Sequence, residues 1–283
     1  MASLREIKDR IGSVRSTLKI TGAMKLVASA KLRKAQAAAQ AMQPYESTLS
    51  EILSKTASAV GGHADGLAAP RDEDSAARTA VVVIASNSSL CGAFNANVVK
   101  EALQLLSECG PADVYAVGRK AAESLRRAGF APVWESSSLV GHPDFEEAAA
   151  LARMLSGSFR DGRCGKVLLV YNHFVSTASQ RPVVRTFLPF EMPHEESALP
   201  PDFILEPDAS AILDTLIPQF LETRVWAAVL DSVAAEHAAR TVAMQTASDN
   251  AETLLSDLTL EYNKGRQQKI TSEILDLLGG KAG

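Results

Sequence analysis

The sequence predicts an α/β fold: a Rossmann-like open sheet domain flanked by long N- and C-terminal helices that form an antiparallel coiled coil. Three observations predict it. Leu4, Ile7, Ile11, Val14 and Leu18 step by 3, 4, 3, 4, the spacing of a coiled-coil seam. The same step runs from Ala227 through Leu230, Ala234, His237, Thr241, Met244, Ser248, Ala251, Leu255 and Leu258 to Tyr262. Between these ends, apolar β-branched runs alternate with helical stretches, the pattern of an open, doubly wound sheet.

Residues 1–58 read as the N-terminal coiled-coil helix. A second seam run starts at Met24 and continues through Ala28, Lys31, Ala35, Ala38 and Met42. Its offset from the first run predicts a local slip in the seam. Residues 59–78, rich in Gly, Ala and charge, read as a linker. Residues 79–207 form the α/β domain. TAVVVIAS (79–86) is a continuous apolar run, a buried strand of the parallel type. A helix follows over 92–109, then a strand, ADVYAVG (112–118), then a helix over 119–128 closed by Gly129. Residues 144–159 give a third helix. KVLLVYNHFV (166–175) and RPVVRTFLPF (181–190) are joined by a short turn and read as an antiparallel hairpin at the sheet edge. Residues 191–207 are rich in Pro and acid. The last helix fills 208–283, with Asp208 or Ser210 as its cap and Pro218 expected to kink or interrupt it.

A helix of ~70 residues is ~105 Å long, more than a compact domain of this size can hide. The two ends therefore need each other, and other chains as well. The C-terminal seam is rich in Ala, Ser and Thr, which lets helices approach closely but buries little apolar area. That combination describes a thin rod shaped to fit inside something.

Of the 283 residues 46% are hydrophobic and 22% charged, enough for one good core plus an extension. No apolar run approaches ~18 residues, so no membrane-spanning helix is expected. The opening MASLREIKDR is charged from residue 5 and lacks an apolar core, so a secretory leader is not expected and the cytoplasm of a bacterium is. Cys91, Cys109 and Cys164 have no CxxC spacing, and the five histidines are scattered, so neither a disulfide framework nor a metal site is expected. His237, at a seam position, reads as a packed neutral side chain. Residues 1–35 carry nine Lys/Arg and two Asp/Glu, a balance of +7, against −11 over the rest. A basic helix can meet nucleic acid, but the pI near 5.8 and the lack of interleaved aromatics disfavour it. An acidic protein partner for Arg33, Lys34 and their neighbours fits better.

No phosphate-binding loop is present. The first strand is followed by SNSSLCGAFN (86–95) rather than G-x-G-x-x-G, and Gly165-Lys166 lacks the rest of a Walker motif. The turn at 86–89 reads as a tight strand-to-helix connection. No nucleotide, metal or other cofactor is expected.

The stretch SLREIKDRIGSVRSTLKITGAMKLVASAKLRKAQ (3–36) resembles the N-terminal signature of the γ subunit of F-type ATP synthase. AAEHAARTVAMQTASDNAETLLSDLTLEYNKGRQQKITSEILDLLGG (234–280) is similar to that family's C-terminal signature, and SNSSLCGAFN to its strand-to-helix turn. The resemblance implies a non-catalytic rotor shaft. Its coiled coil would turn inside a ring of three α and three β subunits, and its α/β domain would lie near the membrane against the ε subunit and the c-ring. It implies a peripheral position on the cytoplasmic face of the inner membrane and no nucleotide binding by the chain itself. Met24 and Lys25 match the place where the N-terminal helix meets a β-subunit loop. Arg240, Arg266, Gln267, Thr271 and Glu273 match C-terminal positions that contact the αβ collar. Phe203, Leu205 and Glu206 match the foot that meets the c-ring. The chain departs from the family pattern in Asn87-Ser88-Ser89, where Asp-Arg-Gly is usual, in Gly22, and in Gly265, where Ala is usual and where flexibility in the shaft is expected. The competing readings are a Rossmann-type enzyme dimerising through its terminal helices and a coiled-coil scaffold.

Overall fold

The computed structural model describes residues 3–59, 67, 78–190, 205–206 and 208–279. The chain divides into two compact units, one of residues 1–29 with 240–283, the other of residues 30–239. The elements in order are α1 (Leu4–Ala59), β1 (Arg78–Ile84), α2 (Phe94–Glu108), β2 (Ala112–Val117), α3 (Arg119–Arg127), β3 (Trp134–Ser136), α4 (Ser138–Gly141), α5 (Phe145–Arg160), β4 (Cys164–Phe174), β5 (Gln180–Leu188) and α6 (Ala209–Gly279). Most of the expected 59–78 linker and all of 191–204 lie outside the described residues.

In the larger unit the sheet order is β3-β2-β1-β4-β5. β1 pairs in parallel with β2 and β4, β2 with β3, and β5 closes the edge antiparallel to β4. Strand β1 is buried on both faces, which explains its unbroken apolar run. Val81, Val83 and Ala85 point to one side, against Val98, Ala102 and Leu106 of α2 and Leu125 of α3. Ala80, Val82 and Ile84 point to the other. There they meet Leu151, Leu155 and Phe159 of α5, Leu32, Leu49 and Leu53 of α1, and Leu213, Ile217 and Val225 of α6. Part of each long helix is thus ordinary core.

Local chemistry sets the ends of these elements. Ser3 Oγ accepts from Glu6 N at 3.2 Å while Ser3 N donates to Glu6 Oε2 at 2.8 Å, a capping box that starts α1. Asp208 caps α6, accepting from Ala211 N at 2.9 Å. Helix α6 runs through Pro218, so the expected interruption does not occur. The ring removes one N–H but leaves 71 residues in one helix, held there by Ile217, Phe220 and Leu221 in the core. Strand β3 has three residues and no apolar run, and no periodic pattern marks it in the sequence.

The coil unit is antiparallel. Thr21 Oγ1 lies 2.8 Å from Ser248 Oγ, and Lys25 Nζ donates to Gln245 Oε1 at 2.8 Å. Leu4 Cδ2 lies 3.0 Å from where a Cβ on Gly265 would sit. From Leu4 to Thr21 is 17 residues, and from Gly265 back to Ser248 is also 17, so one alignment fits both ends. Every α6 seam position expected from the sequence is buried or half-buried.

The expected slip in α1 is absent. Thr21 and Ala28 are buried, Lys25 is half-buried, and Leu32 and Ala35 continue the line, while Lys31 and Ala38 are exposed. A threonine and a lysine occupy seam positions, which hid the continuity from an apolar pattern. Gly265 likewise lies inside continuous helix, at a half-buried position against Leu4. Its lack of a side chain lets Leu4 approach closely.

One glycine in the sheet unit has no substitute. Gly118 ends β2 with φ +95°, and a Cβ there would lie 2.1 Å from the Ala85 carbonyl oxygen. Gly118→Ala should destabilise this unit by about 3 kcal/mol or more. Gly110→Ala, at φ +68° but in open space, should cost about 1 kcal/mol. Urea unfolding of the two variants side by side checks the contrast.

Candidate functional surfaces

An open sheet of this type binds ligands at the carboxyl ends of the strands where the strand order reverses. Here that point lies between β1 and β4. It is filled by the chain itself. Cys91, Phe94, Ala235 and Ala239 form a buried cluster, with Phe174 packed against it. Asn172, 1% exposed, donates from Nδ2 to the Phe94 carbonyl at 3.0 Å. Asp231 of α6 straps the end of β4, accepting from Phe174 N at 2.9 Å and from His173 Nδ1 at 2.6 Å.

The 86–95 turn spends its polar groups internally. Ser86 Oγ donates to the Ser88 carbonyl at 2.6 Å, and Asn95 Nδ2 donates to Ser86 Oγ at 2.8 Å. Asn87 Nδ2 donates to the Ser137 carbonyl at 2.6 Å, and Asn87 Oδ1 accepts from Arg119 N at 3.0 Å. With Gly92 at φ +59° and its polar side chains bonded within the turn and to Ser137 and Arg119, the turn holds α2 and α3 to the sheet. Among the described residues no group of His, Cys, Asp and Glu could hold a metal ion. Burial raises the Cys109 thiol pKa, which disfavours its thiolate.

The residues singled out in the sequence fall into distinct settings. Met24 and Lys25 are half-buried on α1, with Lys25 held by Gln245. Gln245 in turn donates to Asp249 Oδ1 at 2.7 Å. Arg240 is only 8% exposed. It lies in a stretch of α6 where Ala238 and Ala239 are buried as well. Arg266, Gln267, Thr271 and Glu273 are all exposed and share one stretch of α6. Thr271 Oγ1 donates to the Gln267 carbonyl at 2.9 Å, and Glu273 lies 3.8 Å from Lys269. Leu205 is half-buried and Glu206 exposed, while Phe203 lies outside the described residues.

Residues 266–275 have a further property. Leu4, at the start of α1, packs against Gly265, so the part of α6 beyond it continues past its partner helix. All ten of those residues are exposed. An unsupported helix of this length is marginal in water.

Sequence reasoning missed the apolar residues outside the seam. Ile20, Leu26 and Val27 on α1 are 59%, 69% and 57% exposed, and Leu254, Leu260, Ile270, Ile274 and Leu275 on α6 are exposed too. Apolar side chains at non-seam heptad positions were the available signal. Burying one of them fully would contribute about 1.5–3 kcal/mol. The basic residues Arg5, Lys8, Arg10, Arg15, Lys19, Lys31, Arg33 and Lys34 are exposed, and none makes an ion pair among the described residues. No described helix is long and apolar enough to cross a membrane.

The sheet's crevice is filled and the helices expose apolar side chains off the seam, features that fit a subunit held by other chains better than an enzyme. A family model described as ATP synthase matches residues 3–283. The chain is similar to the ATP synthase gamma chain of Phocaeicola vulgatus, 46% identical over 289 aligned positions that cover 99% of each chain. That of Flavobacterium johnsoniae is 40% identical, covering 99% of this chain and 98% of the other. That of Chloroflexus aurantiacus is 35% identical, covering 100% and 99%. Among solved structures, a chain of the Euglena gracilis mitochondrial ATP synthase (OSCP/F1/c-ring, rotational state 3) superposes with a TM-score of 0.65 at 19% identity, over 98% of this chain and 93% of that one. A chain of the Tetrahymena thermophila mitochondrial ATP synthase central stalk and c-ring gives 0.58 at 24% identity, over 81% and 99%. At these identities the structural likeness shows the fold.

The chain belongs to the ATP synthase gamma-chain family. It is a non-catalytic subunit, and the reading as a dimerising Rossmann-type enzyme is not supported.

The filled crevice predicts that the purified chain gives no binding isotherm with ATP at millimolar nucleotide. Titration calorimetry that returned micromolar affinity would contradict it. In the same isolated chain, amides of 267–275 should exchange with deuterium at least about tenfold faster than those of 244–262. Equal protection of the two stretches would show that the tip has support of its own.

Proposed function

We propose that this chain, as the rotor shaft of its ATP synthase, transmits torque through the outer faces of α1 and α6 rather than through any pocket. The coil turns inside the α3β3 ring, and the sheet unit sits at the foot with the ε subunit and the c-ring. Ion flow turns the c-ring, the shaft turns with it, and the three catalytic β sites meet a different face of the shaft at each angle. Only such differential contact can bias site affinity. One observation carries this reading: exposed apolar side chains off the seam on both helices of the coil, from Ile20 and Val27 to Leu260 and Ile274. A rod meant for water would place polar groups there.

Within this reading Met24 and Lys25 face the ring at one level of the coil, and Arg266, Gln267, Thr271 and Glu273 at its tip, while Arg240, only 8% exposed, offers a partner little more than its edge. Leu205 and Glu206, with Phe203, belong to the foot. The unpaired basic residues of α1 fit acidic partner surfaces. The complex lies on the cytoplasmic face of a bacterial membrane, as a peripheral assembly. Solved relatives described as a rotor, a central stalk with c-ring and an F1 with c-ring support the arrangement.

Arg266 gives the sharpest test. It is exposed, so it adds little to the chain's own stability. In the complex it gains charge-assisted hydrogen bonds at certain rotary angles only. Arg266→Ala in the assembled enzyme should change ATP turnover, or its coupling to ion pumping, several-fold and leave the melting temperature of the isolated chain nearly unchanged. ATPase rate, ion pumping and thermal unfolding are measured together. A large fall in melting temperature with intact coupling would assign Arg266 to structure.

A further inference from the structure

In the sheet unit the core holds α1 and α6 in place. In the coil unit the buried apolar seam residues are Ile7 and Ala28 on α1, and Met244, Ala251 and Leu258 on α6, which say little about register. Two layers are specific: Leu4 closes on Gly265, where a Cβ would lie 3.0 Å from it, and the second is polar. Thr21 and Ser248 are 8% and 7% exposed, and their hydroxyl oxygens lie 2.8 Å apart. Each also lies near a carbonyl of its own helix, Leu18 O at 3.2 Å for Thr21 and Met244 O at 2.9 Å for Ser248. Each hydroxyl has a single hydrogen. One therefore donates across the seam while the other donates to its own helix, and the second oxygen is satisfied as an acceptor only through its partner. Beside this pair runs a polar chain, Lys25 Nζ to Gln245 Oε1 at 2.8 Å and Gln245 Nε2 to Asp249 Oδ1 at 2.7 Å.

Sliding α6 by one heptad breaks this layer in either direction. The shared alignment of Leu4 with Gly265 and Thr21 with Ser248 fixes what would meet. One slide brings Thr21 onto Leu255 and Ser248 onto Ala28. The other brings Ser248 onto Val14 and Thr21 onto Thr241, and both slides take Lys25 away from Gln245. In both, a buried hydroxyl loses its cross-seam partner to an apolar side chain, which costs free energy that the small apolar seam cannot return.

We propose that Thr21 and Ser248, supported by Lys25 and Gln245, are positioning residues that lock the register of the two helices. The lock concerns the coil itself. Its consequence for torque rests on the shaft reading above: a coil free to slip stores rotation as sliding instead of delivering it.

Register is read in the full-length chain by cysteine cross-linking. Leu4→Cys with Gly265→Cys reports the native alignment. Leu4→Cys with Leu258→Cys, or with Ser272→Cys, reports a slip of one heptad to either side. Cross-links formed with copper-phenanthroline are identified by peptide mass, which separates them from links to native cysteines. In the otherwise unchanged chain the native link should dominate. Thr21→Val with Ser248→Ala should raise the slipped fraction about tenfold, Ser248→Ala alone should move it the same way by less, and Thr21→Ser should keep the native ratio. An unchanged ratio in the double variant, or in Ser248→Ala should the double variant not fold, overturns the lock. So does a Thr21→Ser chain that slips like the double variant. Ion pumping per ATP hydrolysed is then measured in the assembled enzyme, where the slipping variant should pump several-fold less. Slipped cross-links with undiminished pumping would uphold the lock and count against the shaft reading instead.

Discussion

The helix α6 is the constraint on which the rest depends, because it has two incompatible neighbours to satisfy. Over 213–233 it must present large apolar side chains to the sheet, and Ile217, Phe220, Leu221 and Val225 do so. Over 244–265 it must let α1 approach closely, and Ser248, Ala251 and Gly265 do so. The change of side-chain size along one helix is the structural record of that double duty. Arg224 marks the larger end, lying 5.5 Å and 5.0 Å from the ring centres of Phe190 and Phe220. Asp231 then ties the helix to the end of β4 by two hydrogen bonds. A helix carrying torque needs such side-chain anchors, since apolar packing alone has no direction.

The same anchoring explains how a sheet of enzyme-like topology lacks an enzyme's site. The crevice at the reversal of strand order is a consequence of topology, not of function. It must be filled or used. Here Phe94 and Cys91 fill it from the β1–α2 connection, and Ala235 and Ala239 cover it from α6. Alanine at both α6 positions lets the helix approach closely, and Asn172 satisfies the carbonyl of Phe94 that the cover buries. Larger residues at 235 or 239 would push this part of α6 off the sheet and open the crevice.

What the sequence revealed follows from what each element is made of. The two long helices, four of the five strands and the antiparallel edge were legible, because burial on one face or two leaves an apolar period behind. The α6 seam was legible through Tyr262 because its small residues still alternate with charges. In α1 the line broke at Thr21 and Lys25, where hydrogen bonds replace apolar contact, and the break looked like a slip. Strand β3 was invisible, since three residues paired by backbone alone need no pattern. The capping box at Ser3 and Glu6 was on the page and unread. Of the partner-facing residues, the polar ones came only through resemblance. The exposed apolar ones on α1 and α6 could have been found from the heptad itself. The burial of Arg240 was not legible, because an arginine inside an alanine-rich stretch gives no hint that its neighbours are buried.

The outer surface of the coil combines two kinds of interaction with different demands on angle. Apolar contacts of Ile20, Val27, Leu260 and Ile274 vary little with orientation, so they can hold a turning rod on its axis without stopping it. Charge-assisted hydrogen bonds fall off steeply with distance and angle, so they distinguish one rotary position from the next. A rod with only the first kind would turn freely and instruct nothing. A rod with only the second would lodge at its best angle. The chain carries side chains of both kinds, and on the proposed shaft reading the exposed basic residues of α1 that lack ion-pair partners among the described residues would supply the directional part at many heights. Salt should therefore separate them. Raising ionic strength weakens the exposed charge contacts, with a screening length of about 8 Å at physiological salt, and leaves apolar contacts intact or strengthened. Loss of coupling at salt concentrations that leave the subunit seated in its ring is the behaviour this division of labour requires.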